Sequence, residues 1–155
     1  MRHASALVLL LLAPAMGGAG LPVPGAEAVG GAYRLRFNLN VASTLPARAV
    51  VTCKARIIPD GAGEANPDGE LAGVPAESAT GVAEVNGATA VCAVEIPFSW
   101  TVNNAWSGAR LSYEIDAISV AGSLPVVVRS SAERGVAVAF PPAGGTENLS
   151  FNVTL

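Results

Sequence analysis

Hydrophobic and polar residues alternate along much of this chain, which is the pattern of half-buried β-strands. In residues 33–41 the odd positions hold Tyr, Leu, Phe, Leu and Val, while the even positions hold Arg and Asn. The same alternation predicts strands at residues 49–58, 88–100, 109–120 and 149–155. Shorter runs add residues 82–85, 126–129 and 136–140. Seven or eight short strands without a helical pattern predict an all-β fold, a single Ig-like antiparallel β-sandwich.

Two turn signals predict which strands are neighbours. Asn86-Gly87 favours a tight hairpin between the two runs that flank it. A second turn, centred on Asn103-Asn104, predicts a hairpin in which Cys92 lies opposite Ile115. The other opposed residues of that hairpin are also apolar, so the predicted register is self-consistent.

The N-terminal residues have the organisation of a secretory signal peptide at 1–19: a basic start, an apolar stretch and small residues. Cleavage fits after Ala15 or after Ala19, and we favour Ala19. The apolar stretch is shorter than the roughly 20 residues of a transmembrane helix, and later apolar runs are interrupted, so we expect no transmembrane span after cleavage. Residues 20–32 are rich in Gly, Pro and Ala and predict a flexible leader before one domain at 33–155.

Two cysteines, Cys53 and Cys92, occupy the apolar positions of their predicted strands. In an exported chain this favours a disulfide, although two buried free thiols remain an alternative. Such a bond would stabilise the fold by roughly 4 kcal/mol through the entropy of the unfolded chain. High Ala, Gly and Val with a single lysine, Lys54, is typical of proteins from GC-rich bacteria. We therefore predict a periplasmic or extracellular protein.

The chain offers little catalytic chemistry. Its one histidine, His3, lies in the predicted signal peptide, so the mature protein has no imidazole for acid–base catalysis or metal binding. Glu114 and Asp116 share one strand face, but it is the polar face, where solvated charges are expected. We predict a protein that is not an enzyme and has no cofactor. The net charge of −3 gives no electrostatic reason to expect nucleic acid.

An acidic segment at residues 60–80 lacks any periodicity and is rich in Gly and Pro. Long loops of this kind are often functional. Their carboxylates suggest a weak calcium site, but the spacing matches no EF-hand, and a solvated loop without metal is the favoured interpretation. The candidate ligands would be Asp60, Glu64, Asp68 and Glu70.

Trp106 is a candidate binding residue. In the predicted hairpin it lies opposite Thr101 on the polar face, whereas Trp100 lies on the core face. An outward tryptophan could stack on a sugar ring or anchor a partner, but a loop could also cover it or a bulge turn it inward. The predicted surface comprises Trp106, Thr101, Asn103 and Asn104.

The order and spacing of three motifs resemble the YbaY/YscW type of small envelope β-sandwich over residues 35–140. The motifs are Leu-Pro-Ala-Arg-Ala-Val-Val at 45–51, Ile-Pro-Phe at 96–98, and Tyr-Glu-Ile-Asp-Ala at 113–117 followed by Gly122. The resemblance implies a periplasm-facing envelope domain. This chain lacks the lipid-anchor cysteine of many members, and its two cysteines are not part of the pattern, so no functional residue carries over.

These observations favour a non-enzymatic envelope module that binds another protein, through an exposed sheet edge or through the Trp106 surface. One alternative is a structural subunit that assembles by donating a strand, as pilins do. Residues 20–32, however, lack the alternating apolar pattern of a donor strand. A second alternative is a carbohydrate-binding module that uses Trp106 to bind a polysaccharide.

Overall fold

A computed structural model describes residues 26–41, 49–60, 76–103, 107–121 and 124–155. The predicted signal peptide lies outside the described residues. Seven strands occupy the described part of the chain. They are β1 (Ala26–Asn40), β2 (Val50–Pro59), β3 (Glu77–Glu84), β4 (Thr89–Asn103), β5 (Gly108–Ala121), β6 (Leu124–Ala139) and β7 (Thr146–Thr154).

The strands form the predicted all-β sandwich of two sheets. One sheet, which we call sheet A, has the order β4-β1-β7, and the other, sheet B, has the order β3-β2-β5-β6. The alternating apolar residues of both sheets point inward and form one core, because successive side chains of a strand lie on opposite faces. The largest fully buried side chains include Tyr33, Phe37, Ile96 and Leu111.

A disulfide between Cys53 of β2 and Cys92 of β4 joins the two sheets, as the sequence predicts. The α-carbons of the two cysteines are 6.4 Å apart. Stacked sheets are usually about 10 Å apart. The sheets therefore converge at the disulfide.

The first strand begins earlier than the sequence suggests. Residues 26–32, which we expected in the flexible leader, belong to β1 and pair with β4, from Ala26 opposite Asn103 to Ala32 opposite Pro97. The small residues of this segment hide the alternation, because Gly and Ala give little hydropathy contrast. Residues 20–25 of the predicted leader lie outside the described residues.

Strand pairing differs from the predicted hairpin between β4 and β5. These strands lie in different sheets: Cys92 pairs with Phe37 of β1, and Ile115 pairs with Cys53 of β2. The prediction was wrong because two strands that face each other across a core have the same inward apolar positions as two strands in a hairpin. Alternation alone does not distinguish the two arrangements.

The Asn86-Gly87 turn is present, with Gly87 at φ 63° and an isolated bridge between Asn86 and Thr89. The strands on either side of this turn nevertheless separate into sheet B and sheet A. The sheets are antiparallel with one exception, because β7 runs parallel to β1. The predicted antiparallel sandwich therefore contains one parallel pair of strands.

The two predicted strands at 126–129 and 136–140 are one strand, β6. The register against β5 shifts twice, between Leu111 and Tyr113 and between Ala117 and Ile118. At the first shift β6 carries Gly135 at φ 72°, a left-handed conformation that favours glycine. These bulges break the period of two, which is why the sequence suggests a gap.

Candidate functional site

The surface predicted around Trp106 is only partly described. Thr101 is exposed on β4, and Asn103 ends that strand, with only its backbone described. Trp106 and Asn104 lie outside the described residues. Trp100 is buried, as predicted, and its ring contacts Phe98. The proposed role of Trp106 therefore stays a prediction.

Only one of the four candidate calcium ligands lies among the described residues. Asp60 accepts a hydrogen bond from Nε of Arg110 at 2.9 Å, whereas Glu64, Asp68 and Glu70 lie outside the described residues. On the outer face of sheet B, Lys54 Nζ lies 3.9 Å from Glu114 and 3.7 Å from Asp116. The described ranges contain no group of three side chains able to hold a metal ion.

Asp116 differs from expectation, because its side chain is only 6% exposed although it lies on the polar face. The prediction of a solvated charge was wrong for this residue. Lys54, itself 54% exposed, compensates the burial of the carboxylate. The arrangement is an ion pair that supports the sheet.

The edges of the sheets offer more specific features. The edge strands are β3 and β6 in sheet B, and β4 and β7 in sheet A. Unpaired N–H and C=O groups at an edge can bind another strand, and proteins block unwanted pairing with charges, prolines and bulges. Each edge can therefore be judged by these protective features.

The edges of β3 and β4 face each other. A β-carbon at Gly81 of β3 would collide with the carbonyl oxygen of Ala93 of β4. This close approach leaves no room for an added strand between the two edges. The β3 and β4 edges are therefore closed at this point.

The edge of β6 is protected. The strand contains a proline, Pro125, and three charged residues, Arg129, Glu133 and Arg134. Its two bulges bend the backbone and interrupt the regular spacing of hydrogen-bonding groups. Although Leu124, Val126 and Val127 are exposed, the backbone of β6 is a poor template for an added strand.

The edge of β7 has almost none of these features. Its pairing with β1 continues without a register shift from Thr146 to Thr154. The strand has no proline, and Glu147 is its only charged residue. The outward side chains are neutral and polar: Asn148, Ser150, Asn152 and Thr154. No strand among the described residues pairs with its outer edge.

The ladder with β1 fixes which backbone groups of β7 are free. Gly145 O accepts a hydrogen bond from Ala32 N at 3.0 Å, and Leu155 N donates one to Asn40 O at 2.9 Å. In a regular parallel ladder, alternate residues direct both backbone groups to the same neighbour. The odd residues of β7 therefore bond to β1, and the even residues, such as Asn148 and Ser150, direct N–H and C=O to the outer edge.

Apolar side chains at this edge are only half-buried. The ring of Phe151 packs against Phe37 and Tyr113, with ring centroids 5.4 and 5.2 Å apart. Leu149 lies on the same face of β7 and is also half-buried. A strand added to β7 would cover the remaining exposed surface of both residues. The edge thus combines free hydrogen-bonding groups with uncovered apolar surface.

Two buried or half-buried tyrosines, Tyr33 and Tyr113, each have a glutamate as their partner on the neighbouring strand. Burial raises the pKa of Tyr33, and Glu147, its register partner, raises it further. Burial also raises the pKa of Tyr113, with a further contribution from Glu133, its partner on β6. The two carboxylates therefore place negative charge beside the gap between β6 and β7.

Comparisons with protein-family models, with curated proteins and with solved structures found no match to this chain. The resemblance to the YbaY/YscW type therefore stays a prediction. Within the described ranges, no helix has the length and apolar character needed to cross a membrane.

Proposed function

We propose that this protein is a non-enzymatic binding module of the bacterial envelope. Its outer β7 edge would accept an extended segment of a partner polypeptide as an added strand. Main-chain hydrogen bonds would supply affinity, and the side chains facing the core would supply specificity. The observation that carries the proposal is the regular, nearly uncharged edge of β7, with Leu149 and Phe151 half-buried beside it.

An exported location is part of the same proposal. The Cys53–Cys92 disulfide supports it, because disulfides persist mainly in oxidising compartments such as the periplasm or the extracellular space. The predicted signal peptide at residues 1–19 supports it from the sequence. The partner would then be another envelope or extracellular protein.

The proposal can be tested by placing a photo-crosslinking amino acid at position 148 in the full-length protein in its own cells. Asn148 is exposed and directs its backbone to the outer edge, so a bound strand would lie within reach. Position 91 on β4 is the matched control, because Val91 is 47% exposed on the edge strand at the opposite side of sheet A. We expect one adduct of defined mass from position 148 and none from position 91.

A backbone variant makes the test specific. Ser150→Pro removes an N–H directed to the outer edge and leaves the ladder with β1 intact, whereas Ser150→Ala keeps that N–H. The adduct should disappear in Ser150→Pro and remain in Ser150→Ala. Asn148→Pro, combined with the crosslinker at position 152, provides a second variant if Ser150→Pro does not fold. An adduct that survives in both proline variants would contradict the proposal.

The same edge gives some support to the alternative of a subunit that assembles by strand donation. A donor strand from a second copy would use the same free groups of β7. In the crosslinking experiment, an adduct of twice the mass of the protein would favour this alternative over a separate partner. The polysaccharide alternative depends on Trp106, which lies outside the described residues.

A further inference from the structure

The two sheets are unequal in a way that leaves room for one strand. Sheet B has four strands and sheet A has three in the described part of the chain. Tyr113 of β5 already packs on Phe151 of β7. Because β6 is the next strand outward from β5, it projects beyond β7, and the described residues provide no strand beneath it.

The exposure of side chains along β6 agrees with a strand that projects beyond β7. Glu133 and Arg129 pair with Tyr113 and Ala117, so they lie on the face of β6 that points toward the core side. Both are nevertheless exposed. At the other end of the strand, Tyr33 Oη donates a hydrogen bond to Ala139 O at 2.8 Å, which ties β6 to sheet A. We call the space between the outer edge of β7 and the part of β6 around Glu133 the cleft. The contact of Tyr33 with Ala139 marks its closed end.

The cleft has room for a single extended segment but not for the β7 edge of a second copy of the protein. If β7 of two copies paired with each other, each β6 would extend over the β7 of the other copy. That position is already covered by β5 of the other copy, as the contact of Tyr113 with Phe151 shows. A single extended segment avoids this overlap, because it brings no second sheet with it.

The charges of the cleft indicate what such a segment carries. Glu147 lies at the closed end, beside Tyr33, and Glu133 lies farther along, beside Tyr113. Arg129 lies still farther along β6. It already interacts with another group of the protein. The floor between the two glutamates is apolar and is formed by Leu149 and Phe151. A segment bound there would place alternate side chains over this floor and within reach of the two carboxylates.

We propose that the cleft between β6 and β7 binds an extended polypeptide segment that alternates apolar residues with at least one lysine or arginine facing Glu133 and Glu147. The segment would form the fourth strand of sheet A. This inference rests on the proposed function, because it assumes that the β7 edge accepts a strand. It adds the sign of the charge that the partner presents.

Three synthetic peptides of nine residues, the length of β7, test the inference. They are added to the whole protein that remains after signal-peptide cleavage. All alternate valine with threonine, and the central valine is retained in one, replaced by lysine in the second and replaced by glutamate in the third. Binding is followed by the NMR shifts of the Asn148, Ser150 and Asn152 amides during titration. We expect the lysine peptide to bind most tightly and the glutamate peptide least.

Variants of the two glutamates identify the source of the preference. Glu133→Gln and Glu147→Gln should each weaken binding of the lysine peptide by up to about fivefold and leave binding of the valine peptide unchanged, as expected for a partly exposed ion pair. Glu84→Gln on β3 is the matched control and should change neither. Equal affinity for all three peptides would overturn the inference about charge while retaining the proposed function. If none of the peptides shifted the three amides, the inference would be overturned, and the crosslinking experiment at position 148 would show separately whether the proposed function also fails.

Discussion

Gly81 of β3 lies so close to Ala93 of β4 that a β-carbon at position 81 would collide with the Ala93 carbonyl oxygen. Gly81 is also the register partner of Cys53, and Ala93 follows Cys92 in the chain. The close approach of the sheets and the disulfide therefore occur at the same point. A glycine is required there because any side chain would separate the strands that the disulfide holds together.

We expect Gly81→Ala to lower the free energy of unfolding by about 2 kcal/mol, the usual cost of forcing an extra group into a packed site. Gly87→Asn is the control, because nothing lies within 4 Å of a β-carbon at position 87 and asparagine tolerates its left-handed backbone. Urea unfolding of both variants checks the prediction. A Gly81→Ala protein as stable as the Gly87→Asn protein would show that the sheets do not converge at this point.

The disulfide should contribute strongly to stability. It closes a loop between residues separated by 39 positions, for which the chain-entropy account gives about 4 kcal/mol. We expect the double variant Cys53→Ala/Cys92→Ala to lose roughly this free energy of unfolding. Reduced wild-type protein should lose a similar amount, which separates loss of the bond from loss of cysteine packing. A loss of less than about 1 kcal/mol in both would contradict the prediction.

Tyr33 should make stability sensitive to alkaline pH. Burial, together with Glu147, raises the pKa of Tyr33 above its ordinary value of 10.0. The folded protein then retains this proton at pH values where the unfolded chain loses it. The contribution of Tyr33 to the free energy of unfolding is therefore constant below pH 10 and falls as the pH rises above it. Tyr33→Phe should flatten the fall in unfolding free energy between pH 10 and 11. An equally steep fall in the variant would assign the effect to other groups.

Tyr33→Phe should also lower stability at neutral pH. It removes the hydrogen bond that the Tyr33 hydroxyl donates to the carbonyl oxygen of Ala139, at a cost of about 1 kcal/mol. Thermal unfolding at pH 7 measures this loss. Tyr113→Phe is the comparison, because the described residues show no hydrogen bond from the Tyr113 hydroxyl, and its neutral-pH stability should change less.

The sequence predicts most of the strands because their inward side chains are large and apolar. Residues 33–41 and 88–100 are clear examples, since Phe37 and Ile96 belong to regular rows of buried residues at every second position. The cysteine positions predict the disulfide for the same reason, because both lie among inward residues of their strands. These patterns show which side chains of a strand point inward, which is a local property of the sequence.

The sequence does not predict which strands pair, because pairing depends on contacts between distant parts of the chain. The period of residues 88–100 is the same whether Cys92 lies beside Phe37 or beside Ile115. The candidate site has the same difficulty. The alternation at Leu149 and Phe151 identifies a strand, but its position at the edge of sheet A, and the overhang of Glu133 above it, arise only from the strand order.

Residue-specific amide hydrogen exchange along β7 tests the central claim most directly. In the free protein, the amides of Leu149, Phe151 and Val153 should be protected by the ladder with β1, whereas those of Asn148, Ser150 and Asn152 should exchange rapidly. When the lysine peptide is bound, the three even-numbered amides should become protected as well. Slow exchange of these amides in the free protein, or unchanged exchange in the complex, would contradict the account of β7 as an edge that accepts a strand.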